Sequence, residues 1–545
     1  RGRPRVRRPP SEWTRLDRWW LRFSSSRWRP WWDRAAPILI LALAAFTRLW
    51  RLGEPHSLVF DETYYVKDSW TLMHLGYEAS WPQNADVQFN AGSVNGYAAG
   101  NPEFVAHPPF GKWLISVGLA VFGAQNSVGW RISTAVLGIL AVALVYVIAH
   151  RMFHSTLIAS VAGLLMAVDG TAIVMSRVAL LDNSVMFLAL LAFWFVLIDR
   201  GWAARRLERA LVGRAGHGRS EPSMAGPEGA RAAPAPRYGP ALWWRPWLLA
   251  AAAAVGLASG TKWTGLYFLA FFACYVVVVD MAARRRHGLR HWLSGAVAKQ
   301  GPVTFLVMVP LALATYIATW AGWIATSGGY YRHWAQAVGG AWQGTLAWVP
   351  LWFQNLWHYQ VAMYDYSINL HVPHPYESGP LRWLFLWRPT SMYYVQTAHG
   401  QAGCPAVQCA REITELGNPF IWWVGTACMA YLVYRLVRYR SWRAGAILTG
   451  FGAGYLPWLL YINRTIFEFY TIAYEPYMIL GIAAVAAIVI GRPADPPRRR
   501  RIGLRLVAGY LGIVCAASIF FWPIWVAARI PLWYWNLHMW LPSWR

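Results

Sequence analysis

Apolar runs of about 20 residues, the length that a helix needs to cross a hydrocarbon core, recur along this chain. The first begins near Ile38 and the last ends near Ala527. The composition agrees, because 57% of the 545 residues are hydrophobic, 14% are charged and the mean hydropathy is +0.29. Such values are too apolar for an ordinary soluble domain. The chain is therefore predicted to be an all-α protein that crosses a membrane many times.

The formal net charge of +26 is explained by topology and not by nucleic acid. The arginines are concentrated in short loops between apolar runs, whereas a nucleic-acid-binding domain gathers them on one face. Nucleic acid is therefore not a predicted partner. Under the positive-inside rule the basic loops are predicted to be cytosolic. These segments are RGRPRVRRPP, RRLERALVGRAGHGR, RRRHGLRHW, RYRSWR and RPADPPRRRR.

Placing every basic loop on one side of the membrane gives about eleven spans, with the N-terminus in the cytosol and the C-terminus outside. The apolar segment 112–123 is about a dozen residues long, too short for a full crossing, and is predicted to be an interfacial or re-entrant helix. The predicted spans cover residues 35–53, 129–150, 156–176, 178–199, 243–260, 263–280, 301–325, 418–437, 444–462, 471–491 and 503–527.

The same topology predicts the organisation of the rest of the chain. Two large extracytoplasmic loops contain residues 54–128 and 326–417. If the second loop is outside, its Cys404 and Cys409 are expected to form a local disulfide. The other predicted divisions are a basic cytosolic arm (1–34), a first membrane module (35–199), a flexible cytosolic loop rich in Gly, Ala, Pro and Arg (200–246), two further groups of spans (247–325 and 418–527) and an extracytoplasmic tail (528–545).

Two adjacent carboxylates, Asp61 and Glu62, occur in the first of these loops within FDETYYVKDSW. On a helix consecutive side chains point about 100° apart, so the two acids cannot duplicate one function. One interpretation is a helix N-terminus carrying acids, which interact favourably with the helix dipole. The other is a general base held near an electrophile, with its neighbour orienting a substrate or the base.

Basic side chains are also predicted at the outer face, against the positive-inside pattern. Lys112, in HPPFGKWLI, has a simple explanation as a lysine whose ammonium reaches up to the interface. Asp182, in SRVALLDNSVMF, is costly inside an apolar hairpin and could pair with Arg177. The topology gathers on this one surface Arg131, Arg177, Lys262, Arg464, Asp61, Glu62 and Asp182. Such a concentration of cations predicts an anionic ligand, for which a lipid phosphate at interface depth is suited.

Motifs for other chemistries are absent from the sequence. It contains no GxxxxGK[ST] loop, no GxGxxG after a strand, no HExxH and no paired CxxC. His371 and His374, in LHVPHPYESGP, lack a third close ligand, so no metal site is predicted.

The motifs together resemble the protein O-mannosyltransferase family, whose members have the type C glycosyltransferase fold. The segments that carry the resemblance occur in the family's order between about residue 57 and residue 480. They are FDETYYVKDSW, HPPFGKWLI, WRISTAVLG, SRVALLDNSVMF, GLASGTKWTGL, HPYESGP, GNPFIWW and RTIFEFYTIAYEP. The Arg- and Trp-rich composition and the CPAVQC insertion are similar to those of an actinobacterial member.

The resemblance implies mannose transfer from polyprenyl phosphate mannose to Ser or Thr hydroxyls of secreted proteins, with inversion, in a single displacement. Asp61 matches the family's base and Glu62 a partner that positions the acceptor or Asp61. The residues expected to hold the leaving phosphate are Arg131, Lys262, Arg464 and Arg177. Support of the sugar, the acceptor or the site itself is expected from Asp182, His107, Lys112, His374 and Tyr376. No metal or other cofactor is expected, because a polyprenyl phosphate is already a charged leaving group.

The resemblance also implies where the active site lies, and this chain departs from the eukaryotic members of the family in one loop. The active site is expected at the extracytoplasmic face of the plasma membrane, among membrane lipids. Residues 326–417 are too few for the β-trefoil domain of eukaryotic relatives. Acceptor selection is then expected from loop aromatics such as Trp357 and Tyr376, or from proximity to the protein secretion channel.

Two other functions are compatible with parts of the pattern. A related transferase could move a sugar from polyprenyl phosphate to a glycolipid or a cell-wall glycan, and the acidic pair does not separate it from the first reading. A transporter or lipid flippase would place charge near the bilayer midplane and show an inverted repeat, neither of which the sequence indicates.

Overall fold

The computed structural model describes residues 29–217 and 238–545. Most of the predicted basic arm and the middle of the predicted flexible loop lie outside the described residues. The helices are α1 (Arg29–Leu49), α2 (Glu62–Leu75), α3 (Ala85–Asn90), α4 (Phe110–Phe122), α5 (Ser127–Phe153), α6 (Thr156–Val168), α7 (Gly170–Arg177), α8 (Asp182–His217), α9 (Pro246–Ser259), α10 (Gly265–Arg286), α11 (Trp292–Ser294), α12 (Gly301–Thr319), α13 (Ala321–Ala325), α14 (Trp334–Ala337), α15 (Leu351–Ile368), α16 (Pro380–Trp383), α17 (Pro419–Tyr439), α18 (Trp442–Tyr455), α19 (Glu475–Ile490), α20 (Pro497–Trp525) and α21 (Leu532–His538). A π-helical segment, Gly295–Gln300, joins α11 to α12, and short 3₁₀ segments cover Gly344–Leu346, Gln401–Gly403, Leu456–Leu460, Glu468–Ala473 and Pro542–Trp544.

Six helical segments in the described part of the chain are long and apolar enough to cross a membrane. They are α5, α8 as far as Val212, α10, the run from α11 through α12, α17 and α20. The pair α6 and α7 makes a seventh if the two count as one span, while α4, α9 and α19 are apolar but shorter. The predicted multi-pass helical architecture is confirmed. The number of eleven spans stays a prediction.

The predicted span 156–176 is broken at Asp169, where α6 and α7 meet at 56°. The Asp169 side chain caps α7 by accepting a hydrogen bond from the Thr171 amide at 3.0 Å, and it accepts a second from the Asn418 amide at 2.9 Å. Gly170 follows because a Cβ there would lie 2.0 Å from the Leu416 carbonyl oxygen. A capping acid and a close backbone contact therefore end one helix and start another inside a single apolar run.

Helix α8 continues well beyond the predicted end of its span at residue 199. It stays helical to His217, so the prediction of a flexible loop from residue 200 is wrong for its first part. Ala203 and Leu207, four residues apart, share one helix face and pack with Leu242 and Ala283. This amphipathic pattern, which a search for long apolar runs overlooks, explains the extension.

A small antiparallel sheet, which was not predicted, joins the second large loop to the C-terminal tail. Its strands are β1 (Thr390–Ala398), β2 (Gln408–Glu415) and β3 (Ile530–Pro531), in that order across the sheet. Cys404 and Cys409 form the predicted disulfide, next to the start of β2. Because Ala410 pairs with Ile530, the C-terminal tail is attached directly to the loop 326–417.

The two large loops pack against each other. The Val105 amide donates a hydrogen bond to the Tyr359 hydroxyl at 3.1 Å, and both residues are buried with Trp320 and Trp323 in one apolar cluster. Residues 54–128, residues 326–417 and the C-terminal tail therefore lie on one side of the helical bundle.

Candidate active site

Asp61 lies immediately before α2, at a turn shaped by an unusual residue. Phe60 has a φ of +48°, in the left-handed region that residues other than glycine rarely adopt. Its ring packs edge-on against Phe467 and Phe469, with centroids 5.7 Å away in both cases. The Asp61 side chain does not cap the helix. The aromatic contacts thus hold a turn that leaves the Asp61 carboxylate available for other partners.

The surroundings of Asp61 make it suitable as a general base. Burial raises the pKa of its carboxyl group to about 6. The nearby Asp182 carboxylate also raises this pKa, and the Lys262 ammonium lowers it by a smaller amount than burial raises it. The group is therefore mostly a carboxylate at neutral pH, yet it binds a proton far more readily than an exposed aspartate. A pKa close to the working pH is what general-base catalysis requires.

Lys262 lies beside this carboxylate, between α9 and α10. Its ammonium donates to both oxygens of Asp182, at 2.9 and 3.1 Å, and sits 4.0 Å from the centre of the Tyr470 ring. Burial acts to lower the pKa of Lys262, but Asp182 more than offsets it and the pKa is raised. The lysine is therefore a fixed cation. The expectation that Asp182 pairs with Arg177 is wrong.

Arg464 and His107 complete the same charged group. Arg464 is half-buried, its Nε is buried without a hydrogen-bond partner, and it forms no salt bridge within the described part of the chain. Burial, together with the positive charges of Lys262 and Arg464, lowers the pKa of His107 well below its usual range. The imidazole is therefore neutral at pH 7. Two cations near a neutral histidine can receive an anion such as a phosphate.

Glu62 and Arg131 form a closed pair behind Asp61. The Arg131 guanidinium donates to both Glu62 oxygens at 2.8 Å, and both side chains are fully buried. Its other N–H groups donate to the carbonyls of Leu52, Pro55 and Ser57, while Glu62 also accepts from the amides of Val59 and Ala179. All five donors of Arg131 are thus used within the protein. The predicted phosphate contact of Arg131 therefore stays a prediction, and Glu62 is placed to hold the turn.

Arg177 also has a structural position. It is buried, and its guanidinium donates to the carbonyls of Thr47, Arg48, Trp50 and Arg51 at distances of 2.8–3.4 Å. The last carbonyls of a helix lack partners within the helix, so a cation placed there satisfies them. Arg177 therefore caps the end of α1, and its predicted phosphate contact also stays a prediction.

Lys112 is buried and does not reach up to a membrane interface. Its ammonium forms salt bridges with Glu78 at 2.5 Å and with Asp68 at 3.4 Å. Burial raises the pKa of Asp68 to about 7, despite the nearby ammonium. The lysine joins α4 to α2, the helix that follows Asp61. This position agrees with the supporting role predicted as one of its alternatives.

His374 and Tyr376 lie at the edge of the site. The His374 ring contacts Phe60 and Phe467, with centroids 5.9 and 5.0 Å away. The Arg388 guanidinium lies over the Tyr376 ring at 5.3 Å. Of the predicted site residues, the structure thus groups Asp61, Asp182, Lys262, Arg464 and His107, with His374 and Tyr376 beside them. Glu62, Arg131, Arg177 and Lys112 lie behind this group as supports.

The sequence analysis missed the residues that shape this group. Phe60, directly before Asp61, packs on Phe469, and the Tyr470 ring lies under the Lys262 ammonium. Glu468 is a buried carboxyl whose Oε2 accepts from the Arg388 amide at 3.1 Å. RTIFEFYTIAYEP carries part of the family resemblance, but the resemblance assigns no role to its aromatic residues. The dense run of aromatics around one acid was the available signal.

Comparison with known proteins places the chain in a family. The sequence model described as "Dolichyl-phosphate-mannose-protein mannosyltransferase" matches residues 106–213. The one described as "C-terminal four TMM region of protein-O-mannosyltransferase" matches residues 352–544.

Full-length relatives and a solved structure agree with these matches. The polyprenol-phosphate-mannose–protein mannosyltransferase of Mycolicibacterium smegmatis strain MKD8 is 34% identical over 94% of this chain and 93% of its own length. The protein of the same name from Corynebacterium glutamicum is 29% identical over 98% and 95% of the two chains. The fold is that of the S. cerevisiae protein O-mannosyltransferase Pmt1–Pmt2 complex bound to the sugar donor, with a TM-score of 0.64 at 14% identity, covering 94% of this chain and 92% of that one.

Proposed function

Because this chain belongs to the protein O-mannosyltransferase family, we propose that it transfers mannose from polyprenyl phosphate mannose to a protein hydroxyl. We propose further that Asp61 is the general base of this reaction. Membership makes the chain a mannosyltransferase of the type C glycosyltransferase fold. The observation that carries the assignment is the contrast between the two adjacent acids. Glu62 is closed off by Arg131, whereas Asp61 is half-buried, makes no capping bond and faces Lys262.

The proposed step is a single inverting displacement. The Asp61 carboxylate accepts the proton of a Ser or Thr hydroxyl as that oxygen attacks the anomeric carbon of mannose. The bond between this carbon and the phosphate oxygen breaks on the opposite side, and its electron pair leaves with the polyprenyl phosphate. An α-mannoside is formed from a β-linked donor.

The leaving phosphate is proposed to lie against Lys262 and Arg464. The departing oxygen gains negative charge as the bond breaks, and two fixed cations in a partly dry site stabilise that charge. Arg464 is the better candidate for direct contact, since it forms no salt bridge with a described residue, while Lys262 is shared with Asp182. His107, neutral and near both cations, is proposed to hydrogen-bond the mannose or the phosphate.

The remaining details are also part of the proposal. The acceptor is a secreted protein, met at the extracytoplasmic face of the plasma membrane, where the secretion channel delivers extended chains. Aromatic residues on the loop 326–417, such as Trp357 and Tyr376, are proposed to contact the acceptor. No metal is required, because the phosphate is already anionic when it leaves.

The experiment uses the purified chain in lipid nanodiscs with labelled polyprenyl phosphate mannose. A Ser/Thr-rich peptide and a glycolipid fraction are offered separately, with and without EDTA. We expect labelled peptide, unchanged by EDTA and abolished by Asp61→Asn, while Asp365→Asn, an exposed carboxylate on α15, leaves the rate unchanged. Labelled glycolipid without labelled peptide would contradict the proposed acceptor. Near-full turnover by Asp61→Asn would contradict the proposed base.

A further inference from the structure

Positive charge is concentrated at the start of α20, away from the site described above. Residues 491–505, GRPADPPRRRRIGLR, contain six arginines and one aspartate. That aspartate, Asp495, already accepts from Arg499 at 2.8 Å and from the Arg492 amide at 2.9 Å. The N-terminus of a helix carries a partial positive charge of its own, so arginines in its first turns are unfavourable unless anions neutralise them. Residues 491–505 therefore contain one carboxylate for six arginines.

An apolar groove begins directly beside these arginines. It is lined by Val489, Pro496, Arg498, Arg499, Ile502, Gly503 and Leu506. Val489 belongs to α19 and the residues from 498 onward to α20. Gly503 lets the two helices approach, since a Cβ there would lie 2.2 Å from the Val489 carbonyl oxygen. The groove is thus a feature of the contact between two packed helices and not only of one exposed surface.

The order of side chains along α20 defines what the groove can hold. Arg498, Ile502 and Leu506 are spaced four residues apart and share one helix face. Ile502 is 49% exposed and Leu506 62% exposed, so the apolar part of this face is open to its surroundings. Gly509, further along the same face, has open space around the position of a Cβ. A cationic end is therefore followed by an apolar track that runs along a helix capable of spanning the membrane.

We propose that this groove binds an anionic glycerophospholipid, with its phosphate on Arg498 and Arg499 and an acyl chain along Val489, Ile502 and Leu506. The lipid complements both halves of the groove, whereas a soluble phosphate complements only the arginines. A zwitterionic phospholipid carries an ammonium that the arginine cluster repels, so the groove discriminates by headgroup charge. The site is separate from the mannosyl-transfer site, and its existence does not depend on the proposed function.

The test uses the full chain purified in a zwitterionic detergent, with binding measured by native mass spectrometry. The probes are dioleoyl phosphatidylglycerol, dioleoyl phosphatidylcholine and soluble glycerol 1-phosphate. We expect preferential binding of phosphatidylglycerol that weakens about tenfold or more in the double variant Arg498→Gln/Arg499→Gln. The matched control is Arg285→Gln/Arg286→Gln, which removes the same charge from the end of α10 and is expected to keep the bound lipid.

A second variant tests the apolar half and covers the case in which the arginine variant fails to fold. Leu506→Trp keeps every arginine but fills the groove, and it is expected to weaken lipid binding while the melting temperature in phosphatidylcholine stays that of the parent chain. Equal loss of lipid in both arginine variants would reduce the effect to general surface charge and overturn the proposal. Unchanged binding in Leu506→Trp, equal binding of phosphatidylcholine, or equally tight binding of glycerol 1-phosphate would overturn it as well.

Discussion

At the scale of single residues, Asp61 and Glu62 show how neighbouring acids acquire different chemistry. Both belong to the same short turn, but Glu62 points inward to Arg131 and Asp61 does not. The inward acid gains two charged hydrogen bonds and two from backbone amides. The outer one is left with a pKa raised to about 6 by burial. The turn at Phe60 therefore separates a paired, buried carboxylate from one that has no salt bridge with a described residue.

The raised pKa of Asp61 predicts an acid limb in the pH profile. Only the carboxylate can accept the hydroxyl proton, so kcat/KM should fall about tenfold per pH unit below a pKa of about 6 and level off above it. An aspartate at its ordinary pKa of 3.8 would show no such fall between pH 7 and pH 5. The rates are measured with subsaturating acceptor peptide in buffers of constant ionic strength. A flat profile down to pH 5 would contradict the assignment.

Replacing Arg131 should damage stability before it affects donor affinity. Arg131→Ala leaves the buried Glu62 carboxylate unpaired, and breaking a buried ion pair in this way costs about 3–5 kcal/mol. Glu62→Gln/Arg131→Gln, which removes both charges, should lose less stability than Arg131→Ala. Thermal unfolding in detergent and the KM for the donor are measured together. If Arg131→Ala had normal stability and a raised KM for the donor, Arg131 would instead be a contact of the donor phosphate.

Replacing Arg464 should have the opposite signature. If this guanidinium contacts the donor phosphate, Arg464→Gln removes a charged hydrogen bond, and the KM for the donor should rise about tenfold to a hundredfold with little change in melting temperature. Arg382→Gln, which changes an exposed arginine on α16, serves as the control and should leave both quantities unchanged. An unchanged donor KM in Arg464→Gln would leave Lys262 as the phosphate contact.

At the scale of helices and strands, periodicity and length predicted the apolar helices well but not where they bend or end. The bend between α6 and α7 depends on Asp169 meeting Asn418, a partner 249 residues away. The extension of α8 depends on Leu207 packing near Leu242. The sheet needs β3 to return from the C-terminus to β2. Each of these features follows from a contact between distant segments, which a single sequence does not display.

The packing of α4 on α5 gives a prediction at this scale. A Cβ at Gly118 would lie 2.3 Å from the Gly129 carbonyl oxygen, so Gly118→Ala forces apart two helices that meet through their backbones. Since α4 also holds Lys112 against Asp68, the variant should lose about 1–3 kcal/mol of stability and part of its activity. Melting temperature and rate are compared with those of Gly100→Ala, where a Cβ meets nothing within 4 Å. Equal stability of the two variants would show that α4 moves freely.

At the scale of the whole molecule, the sequence predicted which residues lie together better than it predicted which contacts each of them makes. Motif order and charge parity gathered the right acids and cations on one surface. They could not show that Arg131 donates its hydrogen bonds to Glu62 and that Arg177 donates to backbone carbonyls, because hydrogen-bond partners are a property of the fold. Arg464 differs from them in being half-buried and in having no salt bridge with a described residue. This difference is the reason why Arg464 is the proposed phosphate contact.

The side of the membrane that carries the site can be read from one reporter at the C-terminus. The tail lies in the same sheet as the loop 326–417 through Ala410 and Ile530, and Tyr359 ties that loop to Val105 in the loop of Asp61. With eleven spans and a cytosolic N-terminus, alkaline phosphatase fused after Arg545 should be active and a fluorescent protein fused there should be dark. Reporters inserted in segment 218–237 should give the opposite result, since an Arg-rich loop is retained in the cytosol. A fluorescent C-terminal fusion would place Asp61 in the cytosol, where secreted acceptors do not pass, and the acceptor would then have to be sought among cytosolic proteins.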